Sequence, residues 1–156
     1  MQMTPDKKKN KLYIVVPCYN EEQVLGETSK RLKIKCENLI QKGQISKDSK
    51  IVFVDDGSKD RTWKMISELH ETDSLFSGVK LSRNRGHQNA LLAGLTMASE
   101  HADMAISMDA DLQDDINAVD QMIEKYYEGC DIVYGVRSAR ETDTFSSVLL
   151  RKPFIN

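Results

Sequence analysis

Asp109 and Asp111 flank Ala110, so in an extended segment their side chains leave the chain on one side. Two carboxylates held together repel unless a cation or protons intervene. Oxygen donors of this kind suit Mg²⁺ or Mn²⁺, which take one or two carboxylates and complete their shell with water and substrate phosphate. The alternative is a pair of loop aspartates capping the next helix. Asp55 and Asp56 form a second acidic pair, followed by Gly57. A carboxylate there can accept from a base N–H or a ribose hydroxyl, and Asp-Gly is equally an ordinary turn. Arg137 carries a planar fork suited to phosphate oxygens. His87 reads as the first residue of a helix rather than as a group doing chemistry.

The elements that would position these residues follow from apolar runs. Strands are expected at 12–16, 51–54, 79–81, 104–108 and 132–134. Helices are expected at about 21–42, with Gly43 as its stop, and beyond Asp60 or Ser58 as cap, with Trp63, Ile66 and Leu69 inward. Two more are expected at about 88–99 and through Ile116, Val119, Met122, Ile123, Tyr126 and Tyr127. Strands alternating with helices imply an α/β fold with a mostly parallel, Rossmann-like sheet flanked by helices. Ligands of such sheets bind beyond the carboxyl ends of the strands. Each expected strand is followed there by a polar cluster: 17–21, 55–58, 82–86, 109–113 and 135–137.

The chain has 156 residues, about one domain. Its 22 Lys+Arg against 24 Asp+Glu leave no basic footprint, so nucleic acid is not an expected partner. Cys18, Cys36 and Cys130 are scattered and odd in number, which argues against a disulfide framework or zinc site and for reduced thiols. No apolar run reaches the ~20 residues of a membrane span. The expected organisation is a flexible basic tail over 1–11, a core over 12–140, and a poorly patterned segment over 141–156.

Ile14–Glu21, Val54–Thr62, Ser82–His87 and Met108–Asp115, in that order on a strand–helix alternation, resemble the family 2 glycosyltransferases. Within them the match is to the group that loads polyprenyl phosphates, dolichyl or undecaprenyl, and it runs from about Leu12 to Arg140. The resemblance implies a GT-A fold, incomplete here at its C-terminal end. It implies that Pro17, Tyr19 and Glu21 line the nucleotide pocket and that Phe53 and Asp55 contact the base. Asp109 and Ala110 would hold the ribose and diphosphate region, Asp111 and Gln113 the Mg²⁺ or Mn²⁺, and Arg137 the diphosphate; Asp111 and Arg137 would carry the chemistry. The implied reaction moves a sugar from a UDP- or GDP-linked donor to a lipid phosphate, with inversion, at the inner, cytoplasmic face of the membrane. Relatives are often anchored there through C-terminal helices. Two departures stand out: Ile116 follows Asp115 where relatives carry proline, and the chain is short, so it reads as a truncated donor-binding half. A nucleotide-sugar-binding remnant without turnover is the first alternative. A phospho-acceptor receiver domain, with Asp109 as acceptor, is the second; it requires its acidic pair after the first strand, and here a full strand–helix unit precedes that pair.

Overall fold

A computed structural model describes residues 9–111, 113–136 and 145–152. The elements run β1 (Leu12–Cys18), α1 (Leu25–Gln41), β2 (Lys50–Asp55), α2 (Thr62–Thr72), β3 (Phe76–Lys80), α3 (His87–His101), β4 (Met104–Ser107), α4 (Ala118–Tyr127), β5 (Ile132–Val136) and β6 (Phe145–Arg151). One six-stranded sheet has the order β3-β2-β1-β4-β6-β5. The first four strands are parallel, and β6 runs antiparallel to both its neighbours. The fold is therefore α/β with a mostly parallel sheet, as the alternation of elements requires.

β1 and β2 are buried on both faces, which is why they read as unbroken apolar runs rather than alternating ones. One face carries Ile14, Val16, Ile51 and Phe53 against α1, α2 and α4. The other carries Tyr13, Val15, Val52 and Val54 against α3. Gly94 lets α3 approach: a Cβ there would lie 2.4 Å from Val15 Cγ1 and 2.8 Å from Val54 Cγ2.

β1 extends through Pro17 to Cys18, past the expected end at Val16. Val15 accepts the Met108 N–H, so its polar groups face β4, and the N–H that proline lacks would face the same way. Pairing with β4 has already ended at Val15–Ser107, so nothing is lost. The same ending opens a crevice between β1 and β4, where the strand order reverses direction, the place where such sheets bind ligands.

α1 starts at Leu25, later than expected, because Glu21–Val24 forms a turn with Glu21 O accepting from Val24 and Leu25. It stops as expected: Gly43 takes φ +73°, and Gly43 and Gln44 donate back to Ile40 and Leu39, closing the last turn. β3 lies earlier than expected, at 76–80, since Ser77 and Gly78 disguise it. Gly78 is needed there because the Ile66 and Trp63 side chains cover it.

Two corrections concern the ends. Part of the segment expected to lack pattern, 141–156, is strand β6; Ser147 and Leu149 are buried in it, and the serines hide the run. Residues 9–11 of the expected flexible tail are docked by Lys11, whose N–H donates to Asp103 Oδ2 at 2.8 Å, and by Asn10, which donates to the Tyr126 hydroxyl. Cys18 and Cys36 are buried and Cys130 exposed, all as free thiols.

Candidate active site

The carboxyl rim is built from loops that tie one another down. Asn20, at φ +52°, donates its N–H to Ser58 Oγ at 2.9 Å and accepts from Lys59 N–H at 2.8 Å. Glu21 N–H donates to Thr62 Oγ1, and Arg61 N–H donates to Glu22. Neither Asp60 nor Ser58 is the N-cap of α2, a position that falls on Arg61 without a side-chain cap; Asp60 instead orders the turn before the helix, accepting the Thr62 N–H at 2.9 Å and the Glu22 N–H. The loops after β1 and β2 thus form one rigid unit.

The adjacent aspartates after β2 do different work. Asp56 accepts the Arg85 N–H at 2.6 Å and the Gly86 N–H at 3.0 Å, fastening the loop after β3. Gly57 allows that contact: it takes φ +70°, and a Cβ would lie 2.5 Å from the Arg83 and Asn84 backbone. Asp55 is fully buried, accepts the Ser58 N–H through Oδ1 at 3.3 Å, and leaves Oδ2 without a partner. A buried carboxylate oxygen with no donor is costly in an isolated chain.

After β4, Ala110 is buried and its carbonyl accepts from Thr28 Oγ1 at 2.7 Å, which anchors the turn to α1. Asp114 Oδ2 accepts the Asp109 N–H at 2.8 Å, and Asp111 Oδ1 accepts the Gln113 N–H at 3.1 Å. Asp109, Asp111 and Gln113 are exposed. Glu21 is held above the ordinary carboxyl range by burial, then by Asp111, Asp60 and Asp109. Burial first, then Glu21 and Asp55, push the Cys18 thiol far up. These couplings link the clusters after β1, β2 and β4 into one negative field.

That field tests the expected metal. The expected donors, Asp111 and the Gln113 amide, offer oxygen of the kind Mg²⁺ or Mn²⁺ takes, and the charges of Asp111 and Asp109 bear on the nearby Glu21. Among the described residues no three His, Cys, Asp or Glu side chains gather into a complete cage. The set fits an ion that shares its shell with substrate phosphate.

The structure brings Pro17, Tyr19 and Glu21, with Asp56, to the wall of one hollow and Asp109 to the wall of the next; Gln113 lines a third, beside Met122 and Val136, and Asp55 and Asp111 line none of the three. Phe53 departs from expectation. Its ring is fully buried and stacked on Phe76, with centroids 6.1 Å apart, so it packs the core instead of touching a base. Being two residues before Asp55, it shares that residue's face of the strand, one step too deep. Arg137 lies outside the described residues. Thr28 and Asp114, buried supports of the acidic turn, went unnoticed in the sequence, because a hydroxyl on an apolar helix face and a third acid in a run of four carry no distinctive signal.

A solved mannosyltransferase from Pyrobaculum calidifontis, in complex with GDP-Man and Mn²⁺, superposes with TM-score 0.73 at 17% identity, covering 94% of this chain and 46% of that one. This likeness establishes the GT-A class of fold. Residues 13–155 match the model of Glycosyl transferase family 2, and the chain belongs to that family. It is 55% identical over 134 residues to the Bacillus subtilis (strain 168) glycosyltransferase YkoT, covering 86% of this chain and 40% of the relative. It is 35% identical over 144 residues to the undecaprenyl-phosphate 4-deoxy-4-formamido-L-arabinose transferase of Enterobacter sp. (strain 638), covering 92% of this chain and 42% of the relative. The chain thus spans about 40% of the length of the curated relatives it matches. Among the described residues no helix is long and apolar enough to cross a membrane.

Proposed function

We propose that this chain is the donor-binding part of a metal-dependent, inverting glycosyltransferase that moves a sugar from a UDP- or GDP-linked donor to a polyprenyl phosphate at the cytoplasmic face of the membrane. Two observations support this reading: the charges of Asp111 and Asp109, after β4, act on Glu21, after β1, and Asp55, at the end of β2, has a buried oxygen without a donor. A relative named for undecaprenyl-phosphate sugar transfer supports the acceptor class, and a structural neighbour holding GDP-Man and Mn²⁺ supports the donor and ion.

Each residue has a task that its surroundings allow. Asp55 Oδ2 accepts from the base, and burial makes the bond discriminating. Pro17, Tyr19 and Glu21 wall the nucleoside. Asp109 and Ala110 hold the ribose and diphosphate region, their turn fixed by Thr28 and Asp114. Asp111 and Gln113 hold Mg²⁺ or Mn²⁺, which when bound offsets charge on the leaving diphosphate. Arg137 meets the same diphosphate. The acceptor phosphate is anionic, so attack requires no general base on the protein.

Calorimetry with UDP and GDP, with and without Mn²⁺, tests the assignment. Asp111→Asn is expected to abolish the Mn²⁺-dependent part of binding while the fold persists, since the Asp111 side chain makes one local hydrogen bond. Unchanged affinity with metal would count against it. Arg137→Ala is expected to weaken diphosphate binding more than nucleoside binding.

A further inference from the structure

The hollow walled by Glu21 and the acidic turn after β4 are joined by one short segment, 21–28, fastened at both ends. At its start the Glu21 N–H donates to Thr62 Oγ1 at 2.9 Å, and Thr62 is fully buried. At its end Thr28 Oγ1 donates to the Ala110 carbonyl at 2.7 Å, and both residues are buried. Between the ends, Glu21 O accepts from Val24 and Leu25, and Val24 O accepts from Thr28. Resting on the donor reading above, we propose that Thr28 is a positioning residue that couples the two: through Ala110 it links nucleotide binding at the Glu21 wall to divalent-cation binding on the turn that carries Asp111.

A hydroxyl on a helix has a partner close at hand, a carbonyl three or four residues back in its own helix. Ser29, Thr72, Thr96 and Ser99 all use it, donating to Gly26, to Glu68 and Leu69, to Leu92 and to Thr96. Thr28 donates instead to another element, 82 positions along the chain. Among the described residues the Ala110 carbonyl has no other donor. A buried carbonyl stripped of its donor is costly, so without the hydroxyl the turn shifts to bring that oxygen to water. Asp109 and Asp111 are its two neighbours in the chain, and they move with it.

Asp114 also holds the turn, by accepting the Asp109 N–H, but that bond lies within the segment after β4 and gives it no tie to the nucleotide wall. The tie comes from α1 alone of these two. Its near end, Glu21, already feels the charges of Asp111 and Asp109 at the far end. A cation on the turn offsets those charges, and a fastened segment keeps Glu21 where the offset is felt. Coupling of this kind is reciprocal: the cation tightens nucleotide by the same factor by which nucleotide tightens the cation.

The test measures UDP and GDP binding by calorimetry with and without Mn²⁺, and the ratio of the two affinities is the readout. Thr28→Val keeps the side-chain shape and removes the donor. It is expected to lower the ratio about tenfold, the effect of one buried carbonyl left without its partner, while metal-free affinity stays within about twofold of wild type. Thr28→Ser, which keeps the hydroxyl, should restore the ratio. Thr28→Ala leaves room for a water beside the carbonyl and should show a smaller loss in the same ratio, which keeps the test open if the valine variant does not fold. A ratio unchanged in the valine and alanine variants overturns the proposal. So does an equal loss with and without metal, the mark of a merely structural residue, or a serine variant whose ratio stays low. A wild-type protein that binds nucleotide but gains nothing from Mn²⁺ overturns it as well. A wild-type protein that binds neither UDP nor GDP under either condition refutes the donor reading instead.

Discussion

Asp55 and Asp56 are adjacent, both buried and both acidic, yet the structure assigns them opposite fates under one substitution. Asp56→Asn places an NH₂ group against one of two N–H donors, Arg85 at 2.6 Å or Gly86 at 3.0 Å. One charge-assisted bond is lost and the other weakened. Bonds to charged groups contribute about 1.5–3 kcal/mol each. Gly86 keeps its bond to Asn84 Oδ1, which softens the loss, so a net cost of about 2 kcal/mol is expected. For a chain of this size that lowers Tm by roughly 4–8 °C. Asp55→Asn keeps an amide oxygen for the Ser58 N–H and replaces a buried, partnerless carboxylate oxygen with an NH₂ group. Stability should stay within about 1 kcal/mol of wild type. Its nucleotide affinity should instead collapse, because a donor now faces the base donor. Thermal denaturation and calorimetry on the two variants read both quantities. A Tm drop in Asp55→Asn as large as that of Asp56→Asn, with nucleotide affinity retained, would refute the division of labour.

Gly57→Ala forces a side chain into φ +70° and against the Arg83–Asn84 backbone, so a cost of about 2 kcal/mol or more is expected in urea denaturation. Gly94→Ala sets a helix-propensity gain of about 1 kcal/mol against overpacking on Val15 and Val54 of about 1–3 kcal/mol, and a net loss in Tm is expected. Asp73 is held below the ordinary carboxylate range, first by the hydrogen bond from Lys33 and then by the Leu75 N–H. Its contribution is present above the unfolded value of about 3.9 and is lost as pH falls through the lower folded value. A stability–pH profile of Asp73→Asn should therefore be flatter on its acid limb than that of wild type.

How far the sequence could be read depended on how each element is buried. β1, β2 and β4 lie in the middle of the sheet and announce themselves as apolar runs. The edge strand β3 and the antiparallel β6 do not, because Gly78 and Ser147 fill inward positions where larger neighbours pack over them. The rim location of Pro17, Glu21, Asp55, Asp109 and Asp111 followed from strand ends alone. Their separate tasks did not. Nothing local distinguishes Asp55 from Asp56; the difference comes from Arg85 and Gly86, about thirty residues away. Phe53 was misplaced for the same reason, since only the Phe76 ring shows how deep that position lies. His87 reads as a helix start and is one, but its neighbour Asp109 is 22 residues distant in the chain (109 − 87) and invisible to any local pattern.

β5 closes one side of the sheet, and Ile132, Tyr134 and Val136 along it are each at least half exposed. No described strand pairs with its outer edge. Such a margin is a template on which further chains can add. Handling the protein at high concentration therefore courts stacking of copies side by side, and a lysine at position 132 or 136 is the simplest guard against it.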